Sequence, residues 1–147
     1  MTGYRFNTAP ELRVGLGTSR EVGAYCAQLG IKRPLLVTDP GLVAVGLVEP
    51  VREAIAATCE QVSLFSEVTA DPAESAVLDA LAMLQAGEAD GVVGLGGGSS
   101  MDVAKAIAVL AAGTQTLADA YGVDQVVGGR LPLILIPTTA GTGSEVT

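Results

Sequence analysis

Histidine is absent from this sequence of 147 residues, and cysteine is scarce. Imidazole is the commonest metal ligand and the usual general base near neutral pH, so these residues support no chemistry that depends on it. Cys26 and Cys59 are too few and too irregularly placed for a disulfide framework or a zinc site. Two small, buried, reduced thiols are therefore expected.

Basic and aromatic residues are also in short supply. The 8 Lys and Arg residues stand against 16 Asp and Glu residues, a net charge of −8, which argues against non-specific binding to nucleic acid or to an anionic membrane. Aromatic residues make up only 3% of the chain, whereas hydrophobic residues make up 49%. The core is therefore expected to consist of aliphatic side chains, as in parallel α/β layers.

Long apolar runs are missing as well. No segment reaches the roughly 20 apolar residues of a membrane-spanning helix, because Pro50, Asp90 and Asp102 interrupt the candidates. The amino terminus carries no apolar signal region. We expect a single domain without a membrane segment, located in the cytoplasm.

Strand and helix patterns alternate along the chain. Apolar runs predict buried strands at residues 35–38, 61–65, 92–95 and 133–136. Helical patterns occupy residues 20–29, 51–58, 72–85 and 101–112. A β-hairpin at the sheet edge is predicted from residues 4–7 and 11–14. The whole pattern indicates an α/β fold with a mostly parallel sheet flanked by helices.

Polar or glycine-rich segments follow three of the predicted strands, at residues 39–41, 96–100 and 138–144. Ligands of open parallel sheets bind beyond the carboxyl ends of the strands. Each segment alone is a weak signal. Their combination predicts a ligand site at this edge of the sheet.

The glycine-rich segment predicts a phosphate cradle. Gly96, Gly97 and Gly98 join a strand to a helix, an arrangement that directs free backbone N–H groups at an anion, and Ser99 or Ser100 is expected to cap the helix. The alternative is a flexible turn that only allows close packing of helix and strand. The segment lacks the Gly-Lys-Ser/Thr ending of a nucleoside-triphosphatase loop, so ATP hydrolysis is not expected.

Other candidate residues leave alternatives open. Asp39 ends a strand and either binds the two ribose hydroxyls of an adenosine or makes a local turn contact. Gly15 and Gly17 form an incomplete dinucleotide fingerprint, and a tight turn is favoured. Asp102 either forms a surface ion pair with Lys105 on one helix or faces the cleft. The hydroxyls of residues 138–144 either line a polar ligand or belong to a solvated loop.

Taken together, residues 96–108 (GGGSSMDVAKAIA) and 137–147 (PTTAGTGSEVT) closely resemble the iron-containing, group III metal-dependent alcohol dehydrogenases. Residues 38–40, 46–48 and 15–17 are similar to that family too, so the resemblance covers essentially the whole chain. It implies a Rossmann-like domain that binds NAD. The parent enzyme would transfer a hydride between NAD and a small alcohol or aldehyde.

The resemblance also implies roles for single residues. Asp39 would hold the adenosine ribose and favour NAD over NADP, and Gly97, Gly98 and Ser99 would cradle the pyrophosphate. The hydroxyl residues that would contact the phosphates and the nicotinamide side of the cofactor are Thr138, Thr139 and Thr142, with Ser144 close by. No catalytic residue and no metal ligand is assigned.

The sequence departs from the family in two respects. Residues 71–73 read Asp-Pro-Ala where many members have Asn-Pro-Thr, which bears on the substrate range. The resemblance also implies an Fe²⁺ or Zn²⁺ site in a C-terminal helical domain, whose histidine ligands these residues do not contain. We therefore expect the cofactor domain of a longer, homodimeric or larger enzyme, inactive alone. The alternatives are the cofactor domain of a dehydroquinate synthase-like lyase or glycerol dehydrogenase, and a non-catalytic nucleotide-binding module.

Overall fold

The computed structural model describes residues 9–120 and 125–147. Within these ranges, four parallel strands form one sheet: β1 (Pro34–Val37), β2 (Ser63–Phe65), β3 (Gly91–Gly96) and β4 (Leu133–Pro137). Their order is β2-β1-β3-β4. The register places Leu36 of β1 opposite Leu64 on one side and Val93 on the other. The expected parallel α/β fold is confirmed.

Helices cover both faces of the sheet. They are α1 (Val22–Gln28), α2 (Pro40–Ala44), α3 (Val48–Ala56), α4 (Glu74–Ala86) and α5 (Gly98–Ala112). Side chains of α1 and α3 share a buried cluster with Leu36 and Val93, whereas those of α4 and α5 share another with Leu35 and Val92. Because successive strand residues point to opposite faces, β1 and β3 supply both clusters. Three layers result.

The predicted N-terminal hairpin is wrong where the structure tests it. Residues 11–14 form no strand of the described sheet, and residues 4–7 lie outside the described residues. The guanidinium of Arg13 instead stacks over the ring of Tyr25 in α1, 4.8 Å from its centroid, and forms an ion pair with Glu11. An alternating pattern becomes a strand only when a partner supplies the ladder of hydrogen bonds.

Two differences from the predicted helices lie before α3. Pro40–Ala44 is a short helix rather than only a turn, because the carboxylate of Asp39 caps it and Pro40 occupies its first position. Helix α1 begins at Val22, after a 3-10 helix from Thr18 to Glu21. Gly17, with φ of 79°, forms the turn before that 3-10 helix, which confirms the turn interpretation.

No helix in the described ranges combines the length and the apolar character that a bilayer crossing requires.

The two thiols are expected to differ sharply in reactivity. Cys26 is fully buried, and burial, together with the neighbouring Cys59, raises the pKa of its thiol to about 12. Because the thiolate is the reactive form, we expect iodoacetamide at pH 8 to modify the partly exposed Cys59 and to leave Cys26 unmodified in the folded protein. Peptide mass spectrometry measures both. Full modification in denaturant is the control, and equal labelling of the folded protein would contradict the prediction.

Candidate functional site

The strand order creates a topological switch point between β1 and β3. From β1 the chain proceeds to β2 on one side, whereas β3 lies on the other side of β1 and is followed by β4. The connections that follow β1 and β3 therefore diverge and leave a crevice beyond the carboxyl ends of these strands, the usual ligand position in such sheets. Asp39 follows β1 and Gly97 follows β3, so both lie at this crevice.

Gly96 ends β3 in a conformation that only glycine adopts readily. Its φ is 151°, and a Cβ there would lie 2.6 Å from Oγ of Ser100 and 3.3 Å from Oδ2 of Asp39. The strand end, the helix and the Asp39 carboxylate therefore approach each other without room for a side chain. Gly96 thus allows close packing of the helix against the strand, which is one of the two interpretations of the glycine-rich segment.

The amino terminus of α5 is open. Gly97 is the N-cap residue, with φ of −78° and ψ of −171°, and no side chain caps the helix. The N–H of Met101 donates to the Gly97 carbonyl at 3.2 Å, which leaves the N–H groups of the first helical turn without an intrahelical acceptor. The helix spans 15 residues, so its full dipole favours an anion at this end.

The prediction that Ser99 or Ser100 caps the helix is wrong. The helix starts at Gly98, three residues earlier than predicted, so both serines lie inside its first turn. A capping side chain must come from the extended residue that precedes the helix, and that residue is a glycine. Ser99 remains partly exposed at the crevice, whereas Ser100 is buried against Gly96.

The loop after β4 folds over this helix terminus. The N–H of Thr138 donates to the Gly96 carbonyl at 2.9 Å, continuing the pairing of the two strands. A Cβ on Gly97 would lie 3.6 Å from Oγ1 of Thr139, and one on Gly98 would lie 3.3 Å from Oγ of Ser144. Hydroxyl groups therefore stand opposite the two glycines.

Two further features of the loop after β4 are the position of Thr142 and the exposure of its hydroxyl residues. Thr142 places its Cγ2 3.4 Å from a Cβ on Gly98, and its Oγ1 accepts from the N–H of Ser144 at 3.3 Å. Thr138, Thr139 and Thr142 are exposed, whereas Ser144 is buried. The loop is thus solvated and also apposed to the helix terminus, so the two alternatives for it are not exclusive. Thr138 is held here by its backbone.

Asp39 makes a local contact and also reaches the crevice. Its Oδ1 accepts from the N–H of Leu42 at 3.0 Å and so caps α2. Its Oδ2 is the oxygen that lies beside Gly96. The capping bond fixes the side chain while one carboxylate oxygen points toward the glycine turn. The local alternative is therefore confirmed for one oxygen, Oδ1.

Thr38 is a residue that the sequence did not single out. It is fully buried at the end of β1, and its Oγ1 has no hydrogen-bond partner among the described residues. A buried hydroxyl without a partner costs about 1–3 kcal/mol. One sequence signal points to Thr38: it is a polar residue at the end of an apolar run, at the carboxyl end of a strand.

Asp102 and Lys105 form the ion pair of the simpler interpretation. Lys105 Nζ lies 2.9 Å from Oδ1 of Asp102, one helical turn away, and also donates to Oγ1 of Thr147 at 2.8 Å. The pair connects α5 to the end of the loop that follows β4. It thus positions that loop.

The comparisons with known proteins agree with this geometry. The family model described as iron-containing alcohol dehydrogenase matches residues 9–147. The chain belongs to the iron-containing alcohol dehydrogenase family. The resemblance recorded in its two long motifs is thereby confirmed, and the alternatives of a lyase, a glycerol dehydrogenase or a non-catalytic module are not favoured.

Relatives in sequence include the NAD-dependent methanol dehydrogenase of Bacillus methanolicus. The two are 39% identical over 142 residues, which are 97% of this chain and 37% of that protein. The 4-hydroxybutyrate dehydrogenase of Cupriavidus necator is 42% identical over 139 residues, which are 92% of this chain and 36% of that protein. The chain thus spans less than two-fifths of the length of these relatives.

Solved structures show the same fold. A 1,3-propanediol oxidoreductase matches with a TM-score of 0.94 and 32% identity, over 99% of this chain and 38% of that one. The sulfoacetaldehyde reductase of Bifidobacterium kashiwanohense, solved in complex with NAD⁺, matches with a TM-score of 0.88 and 28% identity, over 100% of this chain and 39% of that one.

The described side chains form no metal centre. Within residues 9–120 and 125–147, no group of three or more His, Cys, Asp or Glu side chains is placed to hold a metal ion. No residue of the described part is therefore assigned as a metal ligand.

Proposed function

We propose that this chain forms the NAD-holding portion of an enzyme that transfers a hydride between NAD and a small alcohol or aldehyde. The observation that carries the proposal is the uncapped amino terminus of α5, which lies at the switch point of the sheet and faces the hydroxyl loop after β4. A dinucleotide has a pyrophosphate at its centre, and an open helix terminus supplies N–H donors and a favourable dipole for that charge.

The residues of the site divide into three parts under this proposal. Gly97, Gly98 and Ser99 present backbone N–H groups to the pyrophosphate. The Asp39 carboxylate accepts hydrogen bonds from the adenosine ribose through its free oxygen. The hydroxyl groups that line the phosphates and the nicotinamide side belong to Thr138, Thr139, Thr142 and Ser144.

The unpartnered hydroxyl of Thr38 supports a site that a ligand completes. It lies directly before Asp39, beside the switch point, and is the kind of buried donor that proteins ordinarily satisfy. The bound nicotinamide supplies the hydride chemistry. The residues described here bind and orient the cofactor.

The family name implies iron, and we propose Fe²⁺ or Zn²⁺ in the enzyme of which these residues form a part, held outside the described residues. The relatives carry the names of methanol, 4-hydroxybutyrate and sulfoacetaldehyde enzymes, so the proposal extends to the class of small alcohols and aldehydes. Homo-oligomeric assembly and a cytoplasmic location stay predictions from the sequence.

Cofactor binding itself is the direct test. Quenching of protein fluorescence or enhancement of NADH fluorescence, titrated with the purified full-length protein, is expected to show saturable binding of NADH that NAD displaces. A flat titration with both nicotinamide cofactors would refute the proposed function.

The choice between NAD and NADP is predicted to depend on Asp39. A carboxylate at this position repels the 2′-phosphate of NADP, so Asp39→Ser is expected to raise kcat/KM for NADP relative to NAD by about tenfold, equivalent to about 1.4 kcal/mol. Serine retains a side-chain oxygen that can cap α2, so the fold is preserved.

Asp39→Ala is the matched control for the capping contact. It removes both the charge and the cap, so it is expected to change the cofactor ratio as Asp39→Ser does while lowering the free energy of unfolding by about 1 kcal/mol. An unchanged NADP/NAD ratio in both variants would remove Asp39 from the ribose site.

A further inference from the structure

Helices α1 and α3 approach each other very closely near the amino ends of β1 and β2. A Cβ on Gly23 in α1 would lie 2.1 Å from the carbonyl oxygen of Ala54 in α3, so only glycine permits this approach. The hydroxyl of Thr58, which follows α3, donates to the Gly23 carbonyl at 2.9 Å. Cys26 lies almost one helical turn beyond Gly23, and Cys59 directly follows Thr58. The approach of the two helices therefore brings both cysteines to one place.

Ile31 links the two cysteines from the other side. Its N–H donates to the carbonyl of Cys26 at 2.8 Å, and its own carbonyl accepts from Sγ of Cys59 at 3.6 Å. The N–H of Glu60 donates to the Lys32 carbonyl at 2.8 Å, which holds the segment after α3 alongside the segment before β1. Cys26 and Cys59 thus belong to one buried cluster and are fixed by backbone contacts on both flanks.

The two cysteines contact the same residue. Ile31 donates its N–H to the Cys26 carbonyl and accepts from Cys59 Sγ with its own carbonyl, and burial, followed by the charge of Cys59, raises the pKa of the Cys26 thiol. Both thiols are reduced in this structure. The two thiols differ in exposure, because Cys59 is partly exposed and Cys26 is fully buried. An oxidant from solution therefore reaches Cys59 first, and Cys26 is the neighbour that attacks the oxidised sulfur.

We propose that Cys26 and Cys59 form an oxidisable pair that closes to an intrachain disulfide between α1 and the end of α3. The site lies at the amino ends of the strands, opposite the crevice proposed for NAD, and is therefore independent of the proposed function. With a diazene such as diamide as the oxidant, the Cys59 thiolate adds to the N=N bond. The Cys26 thiol then gives up its proton to the hydrazine nitrogen as its sulfur attacks the Cys59 sulfur, the S–S bond forms and the S–N bond breaks. The hydrazine product leaves with the two electrons and the two protons of the thiols.

The test is peptide mapping after treatment of the folded full-length protein with diamide. Trypsin is expected to release residues 21–32, with Cys26, joined to residues 53–105, with Cys59. The joined peptide is lighter than the sum of its two parts by two hydrogen atoms and separates on reduction. Circular dichroism before and after treatment checks that the fold is retained.

Cys59→Ala and Cys26→Ala are the matched variants. Each is expected to abolish the joined peptide. Cys59→Ala should leave Cys26 unmodified, whereas Cys26→Ala should leave Cys59 as a mixed adduct or as a disulfide between two chains. The proposal is overturned if the unchanged protein, still folded, yields only Cys59 adducts or only disulfides between chains while Cys26 stays free for alkylation after denaturation.

Discussion

Gly97→Ala is expected to weaken NAD binding about 10- to 100-fold. The added methyl group would occupy the gap between Gly97 and Thr139, where the pyrophosphate is proposed to lie. Losing one hydrogen bond to a charged group costs about 1.5–3 kcal/mol, and each 1.4 kcal/mol is a factor of about ten in the dissociation constant. The measurement is titration of the full-length protein with NADH.

The variant is expected to fold normally, so the loss is attributable to the site. Gly97 has a φ of −78°, which every residue adopts, and the nearest atoms to the new Cβ are Oγ1 and Cγ2 of Thr139 at 3.6 and 3.7 Å, an ordinary contact. Gly129→Ala is the matched control, because no atom of the described residues, apart from its chain neighbours, lies within 4 Å of its added Cβ. Equal dissociation constants for the two variants would place the pyrophosphate elsewhere.

Leu36→Ala is expected to lower the free energy of unfolding by about 2–5 kcal/mol. Leu36 is fully buried in β1, a central strand, and packs in the cluster that α1 and α3 form with the sheet. Truncation removes apolar contacts between the sheet and the layer of α1 and α3, and leaves a cavity that the close-packed strands cannot fill. Urea denaturation of the variant and the unchanged protein measures the difference.

Leu16→Ala is the control of the same chemical type. Leu16 is fully exposed, with a relative accessibility of 107%, so its truncation is expected to change the free energy of unfolding by about 0.5 kcal/mol or less. A loss below about 1 kcal/mol for Leu36→Ala would show that β1 is not part of the cooperative core. Similar losses for both variants would show that the effect is not one of burial.

Most strands and helices were predictable because their signals are local. The apolar run from Val92 to Leu95 lies inside β3, and the glycines after it mark the start of α5. Asp39 is the cap and Pro40 the first residue of α2. An Asp followed by a Pro is a typical start of a helix, so the short helix was predictable from these two residues. Local sequence signals thus predict whether a segment is a helix or a strand, and most of the segment's boundaries.

Predictions that needed a distant partner were less secure. Residues 11–14 have the alternation of a strand, but no described strand pairs with them, and the side chain of Arg13 packs on Tyr25 instead. Ser99 has the chemistry of a cap, but the extended backbone of Gly97 moves the helix start ahead of it. In the first case the outcome depends on a partner strand, and in the second on the backbone conformation two residues before the serine.

The amino-acid sequence alone determined the alternation of elements, the aliphatic core and the motifs of the iron-containing alcohol dehydrogenases, since each is encoded in neighbouring residues. The strand order β2-β1-β3-β4, and with it the switch point, came only from the folded chain. So did the free oxygen of Asp39 beside Gly96 and the contacts of Cys26 and Cys59 with Ile31. Hydrophobic periodicity specifies which face of an element is buried, but it does not specify which other element covers that face. Packing of the whole chain makes that choice.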